Sequence, residues 1–145
     1  MENLNILVIC TGNSCRSQIA EGYLKYFTKK LNLDANVFSA GVRAEGINKD
    51  AIEVMAEDNI DISFQTSNTI EEYLNQEISH VITVCDHAND NCPIYMKKSN
   101  LTHQNFFDPS KVVGDEKERK IAFEKCRNEI KVFCLNYLNK ILALN

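Results

Sequence analysis

The 145-residue chain has no tryptophan, only two prolines and five glycines. No linker, internal repeat or low-complexity tract divides it, so residues 1–145 are expected to form one domain with a proper core. It also lacks any basic run, and 16 Lys and Arg against 20 Asp and Glu leave a net charge of -4. That balance excludes the electrostatic footprint of a nucleic-acid-binding protein. No apolar window is long enough to span a bilayer, and the first ten residues lack the basic head of a signal peptide. The expectation is a cytoplasmic protein with no nucleic-acid and no membrane partner. Its hydrophobic fraction of 44% and charged fraction of 25% are ordinary for a globular fold. Six cysteines without a secretory signal point to catalytic, metal-binding or buried thiols, not to a disulfide framework.

What is present is concentrated near the start. Ile6 to Ile9 is an apolar run that ends in Cys10, followed by a small polar loop, then Arg16 and Ser17. A nucleophile, five residues and an arginine can wrap one tetrahedral oxyanion. Thr11, Gly12, Asn13, Ser14 and Cys15 contribute mostly backbone N–H groups, joined by the N-terminus of a following helix. Arg16 adds a bidentate fork. The same positive field favours the thiolate of Cys10, and the Ser17 hydroxyl can donate to it. Gly12 is expected to take a positive φ. The competing reading, a small buried cysteine and a solvated arginine, loses ground because strand, glycine-containing loop and helix follow in the required order.

The rest of the chain alternates strand and helix. Asn5 to Ile9 reads as a buried strand, and Ser17 to about Lys30 as a helix with Ala20, Leu24, Phe27 and Leu31 at helical spacing. Ala35 to Phe38 is a second strand, with a turn expected at Ser39-Ala40-Gly41. Asn48 can cap a helix to about Asp58, with Asn59 as terminator, and Thr69 to Glu72 has capping-box spacing. His80 to Val84 is a third strand. Asp86 to His103 reads mostly as loop, unusually long for a compact domain. A short fourth strand is expected at Asn105 to Phe107, and a last helix from about Glu116 to Leu142. This order predicts an α/β fold: a four-stranded parallel sheet with helices on both faces, doubly wound. Ligands of such sheets bind beyond the carboxyl ends of the strands. Cys10, Cys85 and Asp108 each follow the apolar run of a different strand, so the topology brings them to one rim.

Cys85 and Cys92 flank six small or polar residues. Zinc through Cys85, His87 and Cys92 would need a second ligand pair of closer spacing. Two inert thiols would sit oddly in so polar a loop. The third reading is a relay in which a thiolate attacks a sulfur and passes a disulfide outward. Asp108 is a candidate general acid for a departing oxygen, against the plainer reading of Asp108-Pro109 as a turn. Cys126 and Cys134 fall near the apolar stripe of the last helix and read as core. His80, His87 and His103 have no evident partners in the sequence.

Cys10-Thr-Gly-Asn-Ser-Cys-Arg-Ser-Gln-Ile-Ala-Glu21 resembles the signature of the low-molecular-weight protein tyrosine phosphatase superfamily, and more closely the thioredoxin-coupled arsenate reductases built on that fold. The similarity extends through Ser39-Ala-Gly41, Ile60-Asp-Ile-Ser63, Cys92-Pro-Ile94 and Asp108-Pro109. It implies that Cys10 attacks arsenate, that Cys85 attacks Cys10 to release arsenite, and that Cys92 takes over the disulfide for reduction by thioredoxin. It implies phosphate or sulfate as substrate analogues, no tightly bound cofactor, and a monomer. In some such reductases potassium sits beside the loop, at positions matching Asn13, Glu21, Ser39 and Asn68. Asn68 stands where the ion-binding members carry aspartate.

Two departures separate this chain from the phosphatases it resembles. Gln18 replaces their usual proline, and Ser110 and Lys111 stand where they tend to carry aromatic residues. Two alternatives stay open: a phosphatase acting on phosphotyrosine, and a non-enzymatic oxyanion- or redox-sensing module using the same loop.

Overall fold

The computed structural model describes residues 4–93, 96 and 99–144. Ile94, part of one stretch of family similarity, lies outside the described residues. Four parallel strands form one sheet in the order β2-β1-β3-β4: β1 (Leu4–Cys10), β2 (Ala35–Gly41), β3 (His80–Thr83) and β4 (Asn100–His103). β1 is central, paired on both sides, and its apolar run from Ile6 is buried, while Asn5 near its start is only partly buried. Ile6, Leu7, Val8 and Ile9 are all fully buried. The helices are α1 (Arg16–Lys30), α2 (Lys49–Ala56), α3 (Asp86–Asp90) and α4 (Glu116–Ala143). α1 packs against β1 and β2, and α3 against β1 and β3.

α1 packs on α4 through Ala20, Leu24, Ile130, Cys134 and Leu138, all buried. Polar ties reinforce the arrangement around α4. Arg127 donates to the Val54 carbonyl at the end of α2, and Lys131 reaches Asp58, which also accepts from the Tyr23 hydroxyl. Asn48 caps α2 through Oδ1, as its position predicts, and Asn59 takes the left-handed conformation (φ 61°) just past the helix. The Thr69–Glu72 capping box opens a short 3-10 turn at Ile70–Tyr73. Among the described residues, no helix is long and apolar enough to cross a membrane.

Three local expectations are corrected. Ser39, Ala40 and Gly41 continue β2 instead of turning, because Gly41 pairs with Cys10 and Asn68. The fourth strand is Asn100–His103, not Asn105 to Phe107; it is a polar edge strand, and the apolar pair Phe106-Phe107 marks the loop that follows. The segment expected as loop from Asp86 contains α3, whose N-cap is Cys85.

Candidate active site

The strand order delivers Cys10, Cys85 and the loop bearing Asp108 to the same edge of the sheet. The chain after Cys10 curls into a tight loop and enters α1 at Arg16. Its carbonyls are tied to the segment after β2. Val42, Arg43, Glu45 and Asn48 donate their backbone N–H groups to the carbonyls of Cys10, Thr11, Gly12 and Ser14, at 2.9–3.2 Å. With those oxygens held on the outside, the N–H side of the loop is left to line a cavity of about 400 Å³. Cys10, Arg16 and Asp108 also line it, with Arg43 and Lys111 at its mouth.

The positive φ belongs to Asn13 (46°), not to Gly12 as the sequence suggested. Asparagine tolerates that conformation when its side chain is held, and here every polar atom of that side chain has a partner. Asn13 Nδ2 donates to Ser17 Oγ and to Ser39 Oγ, both at 2.8 Å, and Oδ1 accepts from the Asn68 N–H at 2.7 Å. Gly12 instead accommodates the Glu45 carboxylate against its Cα. The glycine with least room is Gly41. A Cβ there would lie 2.7 Å from the Asn13 nitrogen and 2.8 Å from the Thr11 oxygen, both backbone atoms of the loop.

Ser17 Oγ lies 2.8 Å from Cys10 Sγ, and both residues are buried. Arg16 is drawn toward Asp108, with Nη2 3.6 Å from Oδ2, while Nη1 donates to the Phe106 carbonyl at 2.9 Å. Asp108 caps a 3-10 turn, Pro109–Lys111, and its Oδ1 accepts from the Ser110 N–H and hydroxyl. Ser110 therefore orients the carboxyl group, a role that its sequence position did not announce. Cys85 Sγ lies 3.2 Å from the Thr11 hydroxyl and accepts the Ala88 N–H at 3.4 Å. Thr11 thus works with its side chain as well as its backbone. Cys92 is buried just past α3.

The other thiols are buried. Burial, and after it the neighbouring Cys126, raises the Cys15 thiol well above its ordinary value. Burial pushes Cys126 up to about 12 and raises Cys134 as well. Both lie on α4 inside the core.

The four positions matched to a potassium site do converge. Ser39 donates to Glu21 Oε1 at 2.5 Å, and Asn13 links Ser39 to Asn68. They do not fit the ion. The second Glu21 oxygen is paired with Lys25 Nζ at 2.5 Å, so an ammonium already supplies the positive charge. The Asn68 side chain faces Thr66 and Glu72 instead. Among the described residues no group of three His, Cys, Asp or Glu side chains could hold a metal, zinc at Cys85, His87 and Cys92 included.

Residues 5–144 match the family model described as low molecular weight phosphotyrosine protein phosphatase. An arsenate reductase of Halalkalibacterium halodurans is 45% identical over 125 residues, 86% of this chain and 88% of that protein. The arsenate reductase of Bacillus subtilis is 42% identical over 130 residues, covering 90% and 91%. A solved structure of an arsenate reductase in the phosphate binding state aligns with TM-score 0.76 at 28% identity, over 95% of this chain and 98% of that one. The low molecular weight protein tyrosine phosphatase from T. tengcongensis aligns with TM-score 0.81, covering 94% and 99%; at 23% identity the likeness is one of fold alone.

Proposed function

The chain belongs to the low molecular weight phosphotyrosine protein phosphatase family, and we propose that within it this protein reduces arsenate to arsenite through Cys10, Cys85 and Cys92. One observation carries the reading. Cys85 Sγ sits against Thr11, the residue after the nucleophile, in contact with the oxyanion loop. Phosphate ester hydrolysis needs Cys10, Arg16 and an acid but no second thiol. Reduction needs two electrons per turnover, and a thiol beside the adduct can supply the second of them.

Arsenate enters the loop, its oxygens taken by backbone N–H groups and the Arg16 fork. Cys10 attacks arsenic, and Asp108 protonates the oxygen that leaves as water. Cys85 then attacks Cys10 Sγ; the sulfur–arsenic electron pair stays on arsenic, which departs as arsenite, and a Cys10–Cys85 disulfide forms. Cys92 attacks Cys85, expelling the Cys10 thiolate and leaving a Cys85–Cys92 disulfide. A dithiol donor of the thioredoxin type reduces that bond and restores three thiols. Sulfate and phosphate fit the same loop as analogues. The cavity wall supports a small inorganic substrate: its lining, among the described residues, includes no aromatic side chain to grip a phenyl ring.

The test is arsenate-dependent NADPH oxidation with thioredoxin and thioredoxin reductase, comparing the parent with Cys85→Ser. Turnover in the parent that vanishes in the variant is expected. No turnover in the parent, with fast aryl phosphate hydrolysis indifferent to Cys85, would make the protein a phosphatase. Phosphate binding with neither activity would make it a sensing module.

A further inference from the structure

Cys85 and Cys92 are seven positions apart with α3 between them. A helical path rises about 1.5 Å per residue, so their Cα atoms lie on the order of 10 Å apart, whereas a disulfide needs about 7 Å or less. α3 must come apart before the relay can finish, and the groups that hold α3 are therefore part of the chemistry. His103, the last residue of β4, has Nε2 2.7 Å from Asp86 Oδ1, on the first residue of α3. Its Nδ1 lies 2.8 Å from Thr83 Oγ1 and 3.2 Å from the Thr83 carbonyl, at the end of β3. The Thr83 hydroxyl donates onward to Asn89 Oδ1 at 3.1 Å, near the far end of α3. Asn105 Oδ1 accepts the Asp86 N–H at 3.1 Å. Two strand ends thus grip both ends of a five-residue helix, one too short to persist on its own propensity.

We infer that His103 and Asp86, with Thr83 and Asn89, form a clasp whose release allows Cys92 to reach Cys85. The inference rests on the three-thiol reading above. His103 and Asp86 are positioning residues: neither touches the oxyanion loop, and they act through the helix that carries Cys85. In the step they control, the Cys92 thiolate attacks Cys85 Sγ of the Cys10–Cys85 disulfide. A Cys85–Cys92 bond forms, the Cys10–Cys85 bond breaks, and its electron pair leaves on Cys10, so no outside oxidant enters. Because the clasp exists only while α3 is helical, it stabilises the dithiol form and makes the Cys85–Cys92 disulfide easier to reduce.

The test is a redox equilibrium on the full chain. Parent, His103→Gln, Asp86→Asn and the double variant are equilibrated with glutathione and glutathione disulfide, and the Cys85–Cys92 disulfide is quantified by peptide mapping. Each single variant is expected to raise the equilibrium constant for forming that disulfide about fivefold, and the double variant no more than either single. Phosphate protection of Cys10 against alkylation should be unchanged, which shows that the loop is folded. Asn89→Ala, at the other end of α3, should shift the equilibrium in the same direction and covers the case of a misfolded His103 variant. Constants equal to the parent's, or additive effects in the double variant, would overturn the clasp while leaving the relay standing. Failure of the parent to form a Cys85–Cys92 disulfide would instead overturn the relay, and the clasp with it.

Discussion

Ser17 Oγ stands 2.8 Å from Cys10 Sγ and accepts from Asn13 Nδ2, an arrangement in which its own proton is available to the sulfur. Asn13 is aligned in turn by Ser39, which donates to Glu21. One chain of hydrogen bonds thus runs from a carboxylate–ammonium pair on α1 to the nucleophile. Ser17→Ala should cut the rate of the first chemical step about 10- to 100-fold, the effect of losing one hydrogen bond to a charged atom. Phosphate binding should change far less. Single-turnover kinetics beside phosphate titration checks this; equal losses in both would mean that Ser17 shapes the loop instead.

Asp108 lies within 3.6 Å of Arg16 and is aimed by Ser110. Asp108→Asn keeps the shape and the bonds to Ser110 but cannot give a proton. Turnover should fall about 10²- to 10⁴-fold with oxyanion binding retained. Weakened binding with normal turnover would remove Asp108 from the acid role.

The shape of the Cys10–Arg16 loop was legible because its parts are local: thiol, amides and arginine lie within seven residues. Strand–helix alternation did the rest, placing Cys85 and Asp108 on the same rim. What escaped was polar and held by distant partners. α3 shows no amphipathic period, being five residues kept helical by a cysteine cap, Thr83 and His103. β4 is Asn-Leu-Thr-His, an edge strand with no buried residue, so no alternation marks it, and Phe106-Phe107 drew the expected strand too late. His103 showed no partner in sequence because its partners lie 17 and 20 positions away. The left-handed Asn13 hides for the same reason, since Ser39 and Asn68 hold it from afar.

Glu21 already has its cation in Lys25. Exchanging potassium for sodium at constant ionic strength should therefore leave both the reductase rate and the melting temperature unchanged. Initial rates and melting curves in matched chloride salts check this. A clear potassium dependence would mean that Lys25 leaves the carboxylate in solution.

The buried thiols set an alkaline limit. Cys126 is pushed up to about 12 from an ordinary value of 9.0, and Cys15 and Cys134 are also raised. A raised folded value means that the unfolded chain loses these protons first as pH climbs. The stability they contribute is fully present below about pH 9 and is lost as pH rises through the folded values. Melting temperature should hold up to that point and fall above it, and Cys126→Ala should flatten part of the decline. An equally steep decline in the variant would assign it elsewhere.

Cys92→Ser separates the two halves of the relay. Cys10 and Cys85 both remain, and together they hold the two electrons that one arsenate requires, so one turnover should proceed. The product disulfide then joins Cys10 to Cys85, two residues that are both buried, so a bulky dithiol donor has little access to it. The variant should release about one arsenite per chain and stop, with Cys10–Cys85 as its disulfide by peptide mapping. Sustained turnover would mean that some other thiol reaches Cys85, and Cys92 would lose its place in the reaction.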